Sequence, residues 1–439
     1  MTKVVKFGGS SLASAEQFKK VKEIITAEES RRFVVPSAPG KRFSADTKVT
    51  DMLYGCYDLA AKGRDFSTEF SAIKDRYYGI INELGIELSL EDEFNTIKAC
   101  FIGKAGRDYA ASRGEYLNGI VLAKYLGYNF VDAADVIYFN EQGQFDGKKT
   151  NKILSEKLAG MENAVVPGFY GSMPNDTIKT FSRGGSDITG SIVAAAVNAD
   201  LYENWTDVSG FLTCDPRIIN NPAPITIITY KELRELSYMG ATVLHEDAIF
   251  PVRKAGIPIN IKNTNKPEDV GTMIVESTSQ KPAYTITGIA GKKGFTVINI
   301  EKDMMNAEIG FGRKVLEVFE KNGICFEHMP SGIDTMSVVV HQAEFADKEQ
   351  EILAGLHRNC HPDTIDIETD LALIAVVGRA MKSNRGTAGR IFSALAHAHV
   401  NVKMIDQGSS ELNVIVGVAE QDFEAANKAI YDIFVETKL

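Results

Sequence analysis

The chain has 439 residues, 44% of them hydrophobic and 24% charged, with a formal net charge of −10. That length exceeds one simple core and implies two or three domains; the acidic balance, with no long basic run against it, argues against a nucleic-acid binder. No run of about 18 apolar residues offers a membrane span, and five cysteines without C-x-x-C spacing argue against a zinc site or disulfide framework and fit a reducing cytoplasm.

Met1-Thr2-Lys3 passes at once into an apolar strand, so no signal peptide is expected. The strand Lys3–Phe7 runs into a glycine turn, Gly8-Gly9-Ser10-Ser11. A helix follows, with Ser14 and Gln17 spaced as a capping box and Phe18, Val21, Ile24 and Ile25 on one face. Lys6 sits where its side chain can reach over the glycine turn, although a strand-end lysine is ordinarily solvated. A second strand, Arg32–Val35, ends in Pro36-Ser37-Ala38-Pro39-Gly40, which puts Ser37 at a strand end too, as a substrate contact or a plain turn serine. The short polar stretch Lys41–Lys48 reads as a mobile loop, and Val49 opens the next helix.

Residues 51–130 are mostly helical by periodicity, with turns at Gly63, Gly85 and Gly103. Glu115 and Asn118 fall on one helix face there; a glutamate so placed is more often solvated than functional. Strands are expected at 129–133, 164–169 and 177–181. Their alternation with helices implies an open, mostly parallel sheet covered on both faces.

Thr180–Gly190 carries a second glycine turn, Gly184-Gly185, with Ser186 or Asp187 placed to cap a helix of small apolar residues. A helix N-terminus behind such a turn can hold a phosphate. Neither turn has the P-loop spacing or the dinucleotide fingerprint. The strand from Leu201 ends at Thr206-Asp207, and the loop beyond it closes at Asp215-Pro216-Arg217. Strand ends of open α/β sheets are where ligands bind. Taken singly, Arg183 reads as a surface ion pair and Asp207 as a turn aspartate. Taken jointly, the bland readings need several coincidences at strand ends. A helix from Tyr230 and a strand at Ile257–Ile261 complete the pattern, and a polar stretch, 262–281, marks a domain boundary.

The C-terminal third contains an internal repeat. Gly310–Phe319 is mirrored by Gly386–Leu395, and at the same offset Ile324 matches Val400, Met336 matches Leu412 and Val338 matches Val414. Each copy reads strand, glycine turn, helix, strand, strand, helix, a ferredoxin-like unit.

The motifs Lys6-Phe7-Gly8-Gly9-Ser10-Ser11, Val35–Lys41, Ser182-Arg183-Gly184-Gly185-Ser186-Asp187 and Trp205-Thr206-Asp207-Val208 through Asp215-Pro216-Arg217 resemble those of the aspartokinases, within the amino acid kinase family. The resemblance covers the whole chain. It implies an amino acid kinase fold over 1–270, a linker at 271–282, and two interleaved ACT domains, 295–369 and 283–294 plus 370–439. The implied reaction is ATP-dependent phosphorylation of the L-aspartate side chain to 4-phospho-L-aspartate, with Mg2+ accompanying the nucleotide. Lys6 then neutralises the transferring phosphoryl group, and Gly8, Gly9 and Ser10 give backbone contacts. Arg183 pairs with the substrate α-carboxylate and Glu115 with its ammonium, while Ser37 and Ser186 contact substrate. Asp187 orients Lys6 or the metal-bound phosphates. Thr206, Asp207, Leu212, Arg217, Thr242 and Val243 line the nucleotide. Two positions depart from the family pattern: Leu212 stands where a tyrosine is frequent, and Thr242 where a lysine is.

ACT domains bind amino acids, so feedback control by an end product is implied, lysine before threonine. Met305, Asn306, Ala307, Ile309 and Gly310 form the implied effector loop, with Glu327 and Ser331 facing it. A homodimer or dimer of dimers through the ACT domains is expected, in the cytoplasm. No protein-held metal site, nucleic acid or membrane partner is expected. The alternatives are another carboxylate-directed amino acid kinase and a non-catalytic amino-acid sensor.

Overall fold

A computed structural model describes residues 1–182, 184–241, 244 and 246–437, the side chains of Glu246 and Asp247 excepted. The chain divides into two units, each discontinuous: 1–211, 224–230 and 243–278 form the first, and 212–223, 231–242 and 279–439 the second.

In the first unit the strands are β1 (Lys3–Phe7), β2 (Arg31–Pro36), β3 (Asn129–Phe130), β4 (Ala164–Val165), β5 (Tyr170–Ser172), β6 (Ile178–Thr180), β7 (Leu201–Thr206), β8 (Ile227–Thr229), β9 (Ile259–Asn263) and β10 (Thr272–Val275). Eight of them make one sheet in the order β3-β4-β2-β1-β7-β9-β10-β8. Neighbours are parallel from β3 through to β9; β10 then runs antiparallel to β9, and edge strand β8 runs parallel to β10. All five residues of β1 are buried, as expected of a strand covered on both faces. The chain leaves β1 toward β2 on one side, while β7 flanks it on the other. The crevice beyond their carboxyl ends is thus a topological switch point.

One face of the sheet is covered by the helix Ala15–Thr26, whose Phe18, Val21, Ile24 and Ile25 join Val5, Phe7 and Trp205 in a core shared with the helices between Val49 and Leu126. Ser14 caps that first helix by accepting the Gln17 N–H, but the Gln17 side chain turns to Asn265, so half of the capping box forms. The helix Gly185–Ala196 lies on the other face, so close that a Cβ at Gly190 would meet the Tyr202 hydroxyl at 2.5 Å.

Two expectations change here. The 177–181 segment does not enter the main sheet: β6 pairs antiparallel with β5 in a separate hairpin, because a tight turn at Met173–Thr177, with Asp176 at φ 60°, folds the chain straight back. The Lys41–Lys48 stretch is tied down, since Asp46 accepts bonds from Arg42 and from buried Arg76, which also donates to the carbonyls of Ala13 and Gly40.

The second unit is built on one antiparallel sheet of β11 (Gly288–Glu301), β12 (Thr335–His341), β13 (Thr364–Val377), β14 (Val402–Asp406) and β15 (Asn413–Ala419), ordered β12-β11-β13-β15-β14. Strands β11 and β13 pair along their lengths but shift register near Gly294 (φ 88°) and Asp370 (φ 58°). Two separate cores result. Ile298, Ile300, Val315, Phe319, Val338 and Leu356 belong to one; Ile289, Ile374, Val376, Ile391, Leu395 and Val416 belong to the other.

The repeat is plain in three dimensions. The helices Phe311–Lys321 and Thr387–His397 begin 76 residues apart, each behind a left-handed glycine at φ 82° (Gly310 and Gly386). The copies differ at the strand after that helix. Val402–Asp406 is continuous, whereas the 324–329 stretch makes only the bridge His328↔Val339 before Pro330, which has no N–H to continue a ladder.

Candidate active site

Lys6 faces Val35 of β2 and Asn204 of β7, at the carboxyl end of β1. It is 7% exposed. Its ammonium lies 2.6 Å from Oδ1 of Asp187 and 3.5 Å from Oδ1 of Asn204. Asn204 donates Nδ2 to the same Asp187 oxygen at 2.8 Å, and the Tyr202 hydroxyl donates to the Asp187 carbonyl. The cation is therefore held by one carboxylate and one amide, while the Asp187 side chain keeps 17% exposure. A Cβ placed on Gly8 would sit 3.6 Å from the Lys6 nitrogen, so the lysine does reach over its own glycine turn.

The glycines act by space as much as by flexibility. Gly9 has ordinary helical angles. What it requires is room for Gly40, whose N–H bonds to the Gly9 carbonyl at 2.8 Å. In the second turn Gly184 is left-handed at φ 56° and serves as the N-cap, and Gly185 packs against Phe169. Capping by Ser186 or Asp187 is thus corrected: both lie inside the helix, and a glycine in that conformation starts it without a side-chain bond. Asp187 is thereby left for Lys6. Buried Ser186 packs on Gly168, whose N–H bonds to the Pro36 carbonyl at the end of β2.

Glu115 and Asn118 converge on the same strand end from the helix Arg107–Leu126. The Glu115 carboxyl takes the Ala38 N–H, and Asn118 donates Nδ2 to the Ser37 carbonyl at 2.6 Å. Both side chains are buried, so the solvated reading of Glu115 does not hold. Burial pushes the Glu115 carboxyl up to about 8, against the opposing pull of the backbone N–H bonds and Arg113. Its Oε2 and the Asn118 Oδ1 have no partner among the described residues.

Ser10, Ser37 and Asp207 lie beyond the carboxyl ends of β1, β2 and β7, and Thr206 is the last residue of β7, so they share this edge; the Thr206 hydroxyl reaches the Asp207 carboxylate at 3.2 Å. Leu212 and Arg217 are part of the second unit. There the Arg217 side chain, 87% exposed, folds onto Asp215. Arg183, Thr242 and Val243 lie outside the described residues. Asn204 was missed in the sequence; its signal was a polar pair, Glu203-Asn204, inside the strand before Trp205.

In the second unit Met305 is buried in a core and the Asn306 N–H bonds to the Ile333 carbonyl, which fixes the loop through Ala307. Ile309 is 99% exposed. Glu308 is held by Lys302 and Lys314, whose hydrogen bonds bring its carboxyl down to about 2. The Glu327 carboxylate is already engaged, 3.3 Å from His341 and hydrogen-bonded to Tyr238, while the Ser331 hydroxyl turns to the Met329 carbonyl.

Among the described residues no group of three or more His, Cys, Asp or Glu side chains could hold a metal, and no helix is long and apolar enough to cross a membrane.

Residues 1–263 match the model of the amino acid kinase family, and 374–434 match that of an ACT domain. Aspartokinase 3 of Bacillus subtilis is 40% identical, covering 98% of this chain and 98% of its own. Aspartokinase 1, chloroplastic, of Arabidopsis thaliana is 29% identical over all of this chain and 81% of its own. The crystal structure of aspartate kinase from Clostridium acetobutylicum has a TM-score of 0.91 at 54% identity, covering 98% of this chain and 99% of that one. E. coli aspartokinase III, at 22% identity and a TM-score of 0.75 over 99% of each chain, shares the fold. Sequence and fold agree: this chain belongs to the amino acid kinase family, among its aspartokinases.

Proposed function

We propose that the protein transfers the γ-phosphoryl group of ATP to the side-chain carboxylate of L-aspartate, giving 4-phospho-L-aspartate and ADP. The observation that carries this reading is the caged Lys6 ammonium at the switch point, with the buried, cation-seeking Glu115 at the neighbouring strand end. A carboxylate oxygen of the substrate attacks the γ-phosphorus, and the bond to the β-phosphate oxygen breaks with its electrons leaving on ADP. A substrate carboxylate with a pKa of about 4 is ionised at neutral pH, so no general base is required. What remains is positioning two anions and neutralising the charge between them.

Lys6 supplies that neutral balance, aimed by Asp187 and Asn204. Gly8, Gly9 and Ser10 offer backbone N–H groups to the phosphates. Glu115 takes the substrate ammonium, Ser37 and Ser186 contact the substrate, and Arg183 pairs with its α-carboxylate through a bidentate fork. Thr206, Asp207, Leu212, Arg217, Thr242 and Val243 form the nucleotide side. Mg2+ fits this donor set as a companion of the nucleotide: phosphate oxygens are its natural ligands, and Asp187 is the acidic side chain at hand. When bound it screens phosphate charge.

The ACT region, read as 295–369 and 283–294 plus 370–439 beyond a catalytic domain of 1–270, is proposed to bind an end-product amino acid, lysine before threonine, at Met305–Gly310, Glu327 and Ser331. The Clostridium acetobutylicum relative is described as an allosteric enzyme, which supports regulation here. Assembly as a homodimer or dimer of dimers and a cytoplasmic location complete the reading.

An ATP-dependent hydroxamate assay across aspartate, glutamate and N-acetylglutamate tests the assignment. Aspartate alone should give product; product from glutamate or N-acetylglutamate instead would overturn it. Titration calorimetry with lysine and with threonine tests the effector site, and heat with neither would remove it.

A further inference from the structure

Two buried oxygens on the helix Arg107–Leu126, Oε2 of Glu115 and Oδ1 of Asn118, have no partner among the described residues. Buried polar atoms are paired as a rule, so each orphan calls for an explanation. The two residues are three positions apart and share one helix face on successive turns.

Their orientations are fixed from the same place. Asn118 gives its Nδ2 to the Ser37 carbonyl, which assigns the amide and turns Oδ1 the other way. Glu115 is anchored by the next residue, through the Ala38 N–H. Neither anchor uses the orphaned oxygens. Tyr77, packed against this turn from the helix Ser67–Leu84, is already spent on the Gly114 carbonyl, and Arg113 acts on Glu115 through its charge with its own Nη2 left without a hydrogen bond among the described residues. A group that satisfies both orphans must carry two or more donors on one small centre. It must also bring positive charge to the ionised form of a carboxyl that has no cation in hydrogen-bond contact among the described residues. An ammonium group meets each condition.

We propose that Asn118 is a substrate-binding residue, its Oδ1 accepting a second hydrogen bond from the α-ammonium group that Glu115 balances. This deepens the reading of the site as an aspartate kinase and rests on it. Glu115 supplies charge, and Asn118 supplies direction. A free amine that cannot reach both oxygens is then rejected by the acceptor left unpaired.

The test uses the full chain with Asn118→Leu, which removes the acceptor, and Asn118→Asp, which keeps it and removes the donor to Ser37. Asn118→Leu should raise the KM for aspartate about tenfold with the KM for ATP unchanged, and Asn118→Asp should bind aspartate at least as tightly as the wild type. Inhibition by succinate, which lacks the ammonium, should be equal in the wild type and Asn118→Leu. Equal weakening in both variants, or a parallel loss of succinate binding, would show a structural role through Ser37 and overturn the inference. Should Asn118→Leu fail to fold, weaker aspartate binding by Asn118→Asp alone would overturn it. Glu115→Gln separates the two layers. An aspartate KM raised there but unchanged in Asn118→Leu defeats this inference only, and no change in either defeats the reading of the site itself.

Discussion

The ammonium of Lys6 and the amide of Asn204 meet on one oxygen, Oδ1 of Asp187, at 2.6 and 2.8 Å. The strand-end lysine is thus aimed by the first turn of a helix and by the neighbouring strand at once. Asp187→Asn removes the counter-charge of a cation that is 7% exposed. Removing one partner of a buried pair costs about 3–5 kcal/mol, with the low end expected because Asp187 is partly open. Turnover should fall at least about tenfold, since a misaimed cation loses transition-state stabilisation. Urea unfolding and steady-state rates of the variant check both outcomes.

The Glu115 carboxyl, raised from 4.5 to about 8 by burial, makes stability and binding depend on pH in opposite senses. The folded state holds a proton that the unfolded chain has released, so this contribution is full below pH 4.5 and is lost as pH rises toward 8. Aspartate affinity should instead improve as pH rises over the same window, because the ammonium pairs with the carboxylate form. Glu115→Gln should flatten the stability slope. Melting temperature and aspartate KM measured from pH 5.5 to 8.5 would show it, and identical slopes in wild type and variant would count against the assignment.

Gly40→Ala should disrupt the phosphate turn from outside. Its Cβ would meet the carbonyl carbon and oxygen of Gly9 at 2.6 and 2.7 Å and the Ser10 nitrogen at 2.8 Å, all backbone atoms that cannot swing aside. A loss of about 1–3 kcal/mol is expected, with a raised KM for ATP because Gly9 and Ser10 are displaced. Gly55→Ala, inside the helix Val49–Ala61 with nothing within 4 Å of the new Cβ, is the clash-free control and should stabilise by about 0.5–1 kcal/mol with the KM for ATP unchanged.

In the second unit, Glu232 is fully buried and takes both the backbone N–H and the guanidinium of Arg379, together with the Thr287 hydroxyl. Arg379→Ala should destabilise the chain by about 3 kcal/mol, as removal of one member of a buried pair does. Arg379→Lys should recover only part, because a single ammonium cannot bridge the two Glu232 oxygens as Nη1 does and also reach the Gln280 carbonyl as Nη2 does. Denaturant midpoints of the three proteins decide this.

Much of this was readable in the sequence, for reasons that differ by element. Lys3–Phe7 and Arg31–Pro36 announced themselves as apolar runs before glycine and proline turns, and the repeat placed Phe311–Lys321 and Thr387–His397 in matching register. What escaped depended on contacts made far along the chain. Burial of Glu115 follows from the packing of residues 37–40 against its helix, which local periodicity does not encode. The anchoring of residues 41–48 needs Arg76, thirty positions beyond Asp46. Asn204 looked like one more strand residue until its partners, Lys6 and Asp187, came from elsewhere in the chain.

Turnover of Lys6→Met at saturating ATP and aspartate tests the central claim most directly. The account predicts a kcat lowered by about 10²–10³, with the variant still folded by its far-ultraviolet spectrum and cooperative melt. A folded Lys6→Met enzyme working at close to the wild-type rate would contradict it.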